Sequence, residues 1–121
     1  MSLNNVFKFL FVAAFAVSLH LFLAQGVSSG IEIPHFDKFA HFVVFLGLSM
    51  LFDLGFSQPK NRALLLALVY GISIEWLQSG VPGRQASVAD IVFDVMGSAS
   101  YYYFAKTWVR LQIQRLTQTS L

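Results

Sequence analysis

Residues 36–56 read FDKFAHFVVFLGLSMLFDLGF, an apolar run with charged residues close to both of its ends. A transmembrane helix needs about 20 predominantly apolar residues, and this run has that length. Three further runs of similar character flank it, from about Val6 to Ala24, from about Arg62 to Ser79 and from about Ser87 to Trp108. The sequence therefore predicts an all-α, polytopic membrane bundle of four transmembrane helices.

Turn-forming residues separate the four runs, because Gly, Pro and Ser are concentrated in residues 26–34, 57–61 and 80–83. Such residues stop helices and start turns. The tail after Trp108 has a different pattern, in which Val109, Ile113 and Leu116 recur at helical spacing among polar residues. We expect this tail to be a short amphipathic segment that lies along the membrane surface.

The composition excludes several classes of protein. Of the 121 residues, 56% are hydrophobic, 12% are charged and 13 are Phe, which is far from the balance of soluble domains. The net charge is only +2 and the basic residues are dispersed, so we expect no nucleic-acid partner. Cysteine is absent, which excludes disulfides, thiolate metal sites and cysteine nucleophiles.

The basic residues predict the orientation. With a cytoplasmic amino terminus, six of the eight basic residues lie on the inner side, and only Lys38 and Arg84 lie outside. We therefore expect a multi-pass protein with both termini in the cytoplasm. An alternative for the first run is a signal peptide, because it ends in the small-x-small pattern Ala24-Gln25-Gly26, although its apolar run is long for one.

In this topology, polar residues gather at the outer ends of the last three helices. They are Asp37, Lys38 and His41 on the second helix, Glu75 and Gln78 on the third, and Asp90 and Asp94 on the fourth. Spacings of three or four residues place each set on one helix face. A charged side chain costs about 2.5 to 3.5 kcal/mol at the centre of a membrane helix, so these faces should point into the bundle.

Structural explanations apply to some of these residues. Asp37 and Asp90 can cap the first turns of their helices, and Lys38 can extend its ammonium group to the membrane surface. At the inner end of the second helix, Asp53 lies close in sequence to Lys60 and Arg62. We expect Asp53 to form an ion pair with those two residues.

One composite motif carries a family resemblance. It reads Asp37-Lys38-x-x-His41-Phe42, then Glu75-x-x-Gln78, then Val81-Pro82-Gly83-Arg84-x-x-Ser87-x-x-Asp90-x-x-x-Asp94-x-x-Gly97. This motif, at about 36–100, resembles the VanZ-like family of small integral membrane proteins. The resemblance implies that residues 1–121 form a single VanZ-like membrane domain in a bacterial inner (cytoplasmic) membrane, and it supplies no biochemical activity. The family more often carries Asn where this chain has Asp94.

The outer residues predict a site for an anion. Arg84 offers planar, bidentate donors suited to phosphate or carboxylate, and Ser87 can cap the fourth helix, whose dipole favours an anion there. We therefore expect an outward-facing polar pocket that binds a membrane lipid, and specifically an anionic lipid-linked or cell-envelope precursor. The expected ligand-binding residues are Lys38, Gln78, Arg84, Ser87 and Asp94.

Two alternatives remain open. A membrane enzyme acting on a lipid phosphate or peptidoglycan-related lipid would use His41 as its general acid or base, and its other catalytic candidates are Asp37, Glu75 and Asp90. No P-loop, hydrolase elbow or zinc motif is present. An ion pathway or a structural bundle is the other alternative. We expect no cofactor and no metal, although His41, Glu75, Asp90 and Asp94 could hold a hard cation.

Overall fold

A computed structural model describes residues 2–24, 36–80 and 87–119. These residues form helices and no strand. The helices are α1 (Leu3–Ala24), α2 (Phe36–Phe56), α3 (Lys60–Ser79), α4 (Val88–Ser100), a π-helical turn (Tyr101–Ala105) and α5 (Lys106–Thr119). The predicted all-α class is confirmed, and the ends of α1, α2 and α3 and the start of α4 lie within a few residues of the predicted ones. The predicted end of the fourth helix at about Trp108 is wrong, because helical structure continues to Thr119. The structure places α3 directly after Pro59, a residue suited to the entry of a helix.

The carboxy-terminal tail is a continuation of the fourth helix. The π-helical turn joins α4 to α5 without a break, because no Gly or Pro follows Gly97 before the end of α5 at Thr119. The first turn of α5 packs inward, where Val109 contacts the buried cluster of Ala63 and Tyr101. The tail therefore does not begin as a separate segment, and its expected position along the membrane surface stays a prediction.

Helices α2 and α4 approach each other closely at Gly97. A Cβ atom at this position would fall on the carbonyl oxygen of Phe42 and lie 3.0 Å from its carbonyl carbon. Since any side chain would push the two backbones apart, Gly97 sets the distance between these helices. Gly71 on α3 has a related role, because a Cβ there would lie 2.9 Å from Oδ2 of Asp94.

The apolar core is small, and much of the apolar surface is exposed. Phe22, Phe45 and Ile74 are buried at its centre. In contrast, Trp76 on α3 is 74% exposed and Phe104 is 85% exposed. Within the described ranges, two helical segments are long and apolar enough to cross a bilayer, Leu3–Leu23 and Lys38–Phe56. Charged and polar residues near the ends of α3 and in α4 lower the hydropathy of those helices.

Candidate functional site

Four ionisable side chains from three helices meet in one buried layer, which we call the polar cluster. Its members are His41 of α2, Glu75 of α3, and Asp90 and Asp94 of α4, and none is more than 3% exposed. The spacing of these residues along their helices directs all four into the bundle. Gly71 and Gly97 have no side chain, so α4 packs close to α3 and α2 at these positions. At Gly71, the carboxyl group of Asp94 lies where a Cβ atom would otherwise be.

His41 is held on two sides. Its Nδ1 atom lies 2.6 Å from Oδ1 of Asp94, and its ring stacks on Phe22 of α1 with centroids 4.4 Å apart. When Asp94 is ionised its carboxylate can only accept a hydrogen bond, so Nδ1 is then the donor. If the imidazole is also neutral, this hydrogen bond selects its tautomer and leaves the lone pair on Nε2.

The Nε2 edge of His41 faces two carboxyl groups. Nε2 lies 3.9 Å from Oδ2 of Asp90, and a ring nitrogen of His41, a carboxyl oxygen of Glu75 and a carboxyl oxygen of Asp90 all lie within 4.8 Å of one another. His41 Nε2 and Glu75 Oε1 are buried, and the described residues give neither of them a hydrogen bond, whereas Asp90 Oδ1 has the ammonium group of Lys38 3.5 Å away. Buried polar atoms are bonded in more than about 90% of cases, so these two atoms are exceptions among the described residues.

The amino-terminal end of α4 completes one side of the cluster. The Oγ atom of Ser87 accepts a hydrogen bond from the backbone N–H of Asp90 at 3.2 Å, which confirms its expected capping role. Glu75 Oε2 accepts a bond from the backbone N–H of Ser87 at 2.8 Å, a contact that the sequence did not indicate. Lys38 reaches the same corner, with its Nζ 3.5 Å from Oδ1 of Asp90.

Gln78 connects the site to α1. Its side chain is fully buried, and its Nε2 donates to the backbone carbonyl of Phe22 at 2.6 Å. The carbonyls in the last turn of a helix lack partners within that helix, so this bond fastens the end of α1 to α3. Phe22 was missed by sequence reasoning, because a single aromatic residue among 13 phenylalanines gives no pattern.

The structure brings together seven of the nine predicted site residues, which are Lys38, His41, Glu75, Gln78, Ser87, Asp90 and Asp94. The roles assigned to these residues stay predictions. The other two, the side chain of Asp37 and the whole of Arg84, lie outside the described part of the chain.

A second buried carboxylate, Asp53, lies toward the other end of α2, and its predicted partners are wrong. It accepts two hydrogen bonds from Arg110 at 2.9 Å each and one from Tyr101 at 2.7 Å, and Lys106 lies 3.6 Å away. Arg62 binds Gln58 instead. The continuous helix through α5 brings Arg110 to Asp53, and their hydrogen bonds raise the pKa of Arg110, which keeps this cation charged.

An apolar cavity lies beside the polar cluster. It has a volume of about 530 Å³ and is lined mainly by aromatic and aliphatic side chains, among them Phe11, Phe15, Phe45, Tyr70 and Ile74. Phe45 lies one helical turn from His41, and Ile74 directly precedes Glu75. The cavity is therefore lined by sequence neighbours of cluster residues but by none of the four ionisable residues themselves, and its lining is almost entirely apolar.

Comparisons with known proteins give one family. The family model described as VanZ/LLP1 matches residues 2–110, which include α1 as well as the motif-bearing helices. An uncharacterized protein of Schizosaccharomyces pombe is 26% identical over 114 residues, covering 86% of this chain and 70% of that protein. No solved structure matches. The similarity thus reaches a eukaryotic protein and extends beyond the segment that carries the motif.

Proposed function

The chain belongs to the VanZ/LLP1 family, and on that premise we propose that this membrane protein binds the anionic headgroup of a lipid at its polar cluster. The observation that carries the proposal is the edge of the cluster, where the ammonium group of Lys38 lies 3.5 Å from Oδ1 of Asp90 beside the amino-terminal end of α4. Both features attract an anion. The buried His41 Nε2 and Glu75 Oε1 are acceptors, and they can bond to hydroxyl groups of the headgroup.

The exposed surface supports a multi-pass arrangement of four spans. Beyond the two strongly apolar helices, α3 exposes Leu65 and Trp76 at 60% and 74%, and α4 exposes Val88 at 76%. In water such a surface would favour aggregation, whereas lipid accommodates it. We place the termini in the cytoplasm and the polar cluster toward the outer face, in the cytoplasmic membrane of a bacterium, as the basic residues and the VanZ-like resemblance suggest.

The surroundings of the cluster suit a lipid. The adjacent cavity of about 530 Å³ is lined by apolar side chains that can pack against an acyl chain. Lys38 at the edge of the cluster and the amino-terminal end of α4 both attract anions. Arg84 lies in the sequence between α3 and α4, outside the described residues, and a guanidinium can bind phosphate through two parallel hydrogen bonds.

A thermal-shift experiment tests this proposal. The full chain is delipidated in a detergent without phosphate, and phosphatidic acid or diacylglycerol with the same acyl chains is added. A ligand that binds only the folded state raises the melting temperature by mass action. We expect phosphatidic acid to raise the melting temperature and diacylglycerol to leave it nearly unchanged, because the headgroup phosphate makes the specific contacts.

Two variants distinguish specific binding of the lipid headgroup from general stabilisation of the protein by added lipid. Glu75→Gln combined with His41→Gln removes the carboxyl group and the imidazole of two cluster residues, whereas His20→Gln changes an exposed histidine of α1. The double variant should lose the shift with phosphatidic acid, and the His20 variant should keep it. An equal shift with both lipids, or the same shift in all three proteins, would contradict headgroup binding at the cluster.

A second candidate, an enzyme acting on the bound lipid, is favoured by the contact between His41 and Asp94. Asp94 holds the imidazole through Nδ1 at 2.6 Å, which leaves Nε2 able to take a proton from water or from a hydroxyl group. Such an orienting carboxylate is a feature of many histidine general bases. Incubation with phospholipid should then release a headgroup or phosphate, and His41→Gln should stop the release while lipid binding persists.

A further inference from the structure

We propose that His41, Glu75 and Asp90 bind a divalent metal ion, and that Asp94 orients the histidine ligand. The metal ion would lie in the same polar cluster as the lipid headgroup, so the inference deepens the proposed function. It rests on that function for the identity of the lipid. We expected no metal from the sequence, and the reason to propose one is the placement of three ligand atoms in the structure.

The ligand atoms are close to the separations that a metal ion requires. Two atoms that are each about 2.1 Å from a metal are at most about 4.2 Å apart. Nε2 of His41 lies 3.9 Å from Oδ2 of Asp90, and the group that includes a Glu75 oxygen spans no more than 4.8 Å. A small movement of one carboxylate would bring all three atoms into coordination range.

The burial of His41 is the independent observation that points to a ligand. The residue is fully buried, and its Nε2 has no hydrogen bond among the described residues although it faces the two carboxyl groups. A protein that used these residues only for packing would be expected to satisfy this atom. A metal ion would bond to the Nε2 lone pair and to both carboxylates at once.

Asp94 provides the supporting contact that metal-bound histidines usually have. Such a histidine donates its second ring N–H to a carboxylate or carbonyl, which fixes the ring and raises its basicity as a ligand. The Nδ1 atom of His41 lies 2.6 Å from Oδ1 of Asp94, which matches this arrangement. Gly71 leaves the space that the carboxyl group of Asp94 occupies.

The charge of the cluster favours a cation. Among the residues that the structure describes, and with their carboxyl groups ionised, Glu75, Asp90 and Asp94 bring three negative charges, and Lys38 brings an ammonium group 3.5 Å from Asp90. When His41 is neutral, these described residues carry two more negative charges than positive ones, which one divalent ion would balance. The ion would also give an anionic headgroup a positive partner inside a cluster that would otherwise repel it.

The ligand set selects a class of ion. One imidazole nitrogen with carboxylate oxygens suits Mn²⁺ or Zn²⁺, while softer ions prefer sulfur ligands, and this chain has no cysteine. Three protein ligands leave coordination positions for oxygen atoms of a phosphate group. We therefore choose Mn²⁺ as the probe, because pulsed electron paramagnetic resonance detects a ¹⁴N nucleus bound directly to it.

The test loads the full chain with Mn²⁺ alone. Protein that has been delipidated and treated with a chelator is titrated with MnCl₂, and bound Mn²⁺ is counted by electron paramagnetic resonance. We expect one ion per chain with a ¹⁴N coupling from His41. His41→Gln should lose this coupling and the bound ion, and His20→Gln should keep both. Circular dichroism and thermal melting show whether each variant is folded.

Asp94→Asn tests the positioning role. The ion should still bind with its ¹⁴N coupling, but about 10- to 100-fold more weakly, as is usual when an outer partner of a metal ligand is changed. An unchanged affinity would contradict the assigned role of Asp94.

Two results would overturn the metal site. The first is wild-type protein that binds neither Mn²⁺ nor Zn²⁺ stoichiometrically, in which case protons shared among the carboxyl groups satisfy the cluster. The second is Mn²⁺ bound equally by wild type and by Glu75→Gln combined with Asp90→Asn. The titration is done without lipid, so the two proposals can fail separately. Protein that binds the metal ion but does not respond to phosphatidic acid would reject only the proposed function. Protein that responds to phosphatidic acid but binds no metal ion would reject only this inference.

Discussion

Replacing Gly97 by Ala should separate α2 from α4 and disturb the polar cluster. The added Cβ would fall on the carbonyl oxygen of Phe42, 3.0 Å from the carbonyl carbon and 3.2 Å from Cα. These are backbone atoms, so no side-chain rotation relieves the contact. Phe42 adjoins His41 and Gly97 lies one turn from Asp94, so movement of the two helices should pull the histidine away from its carboxylate.

The magnitude follows from two opposing effects. Overpacking a well-packed contact costs about 1 to 3 kcal/mol, and a backbone contact should lie at the upper end of this range. Alanine is intrinsically better than glycine within a helix by about 1 kcal/mol. The net decrease in the free energy of unfolding is therefore about 2 kcal/mol, or roughly 8 °C in melting temperature for a chain of this size.

Gly47 provides a matched control on α2. A Cβ there would meet nothing within 4 Å, so Gly47→Ala keeps only the gain in helix propensity and should leave stability unchanged or raise it by up to about 1 kcal/mol. Thermal melting of both variants in the same detergent measures the difference, which we expect to be about 3 kcal/mol. Equal melting temperatures for the two variants would refute the close approach of α2 and α4.

Three further predictions concern other parts of the molecule. Arg110→Ala should lower the free energy of unfolding by about 2 kcal/mol in a denaturation series. This is less than the full cost of breaking a buried ion pair, because Arg110 is partly exposed. Adding Asp53→Asn should recover part of the loss, because it removes the carboxylate left without its partner. Gln78→Leu should lower it by about 1 to 2 kcal/mol by removing the bond to α1, whereas no change in melting would show that this bond contributes nothing. Alkaline phosphatase fused after Leu121 should be inactive and a fusion near Ser28 active; the opposite pattern would reverse the orientation.

The helices and much of the cluster could be predicted from sequence because each depends on local pattern. Apolar length and Pro or Gly breaks gave the helix positions. The spacing of Glu75 and Gln78, and of Asp90 and Asp94, indicated which faces point inward. Since lipid can cover the remaining faces, polar residues are the ones that identify the interior of such a bundle.

The features that were missed depend on contacts between distant segments. Phe22 stacks on His41 across the bundle, but nothing in the local sequence of α1 distinguishes it from other aromatic residues. Asp53 was paired with Lys60 and Arg62 because they are near in sequence, whereas the fourth helix continues far enough for Arg110 to reach it. Proximity in sequence therefore did not predict the partner of Asp53, because a long helix later in the chain packs against the same end of α2.

Native mass spectrometry of gently extracted protein tests the central claim, that the polar cluster holds a lipid headgroup, most directly. Wild type and the double variant Glu75→Gln with His41→Gln are released from the same membrane under the same conditions. We expect one phosphate-containing lipid bound per wild-type chain and none on the double variant. Wild-type protein without bound lipid, or the same lipid retained by both proteins, would contradict it.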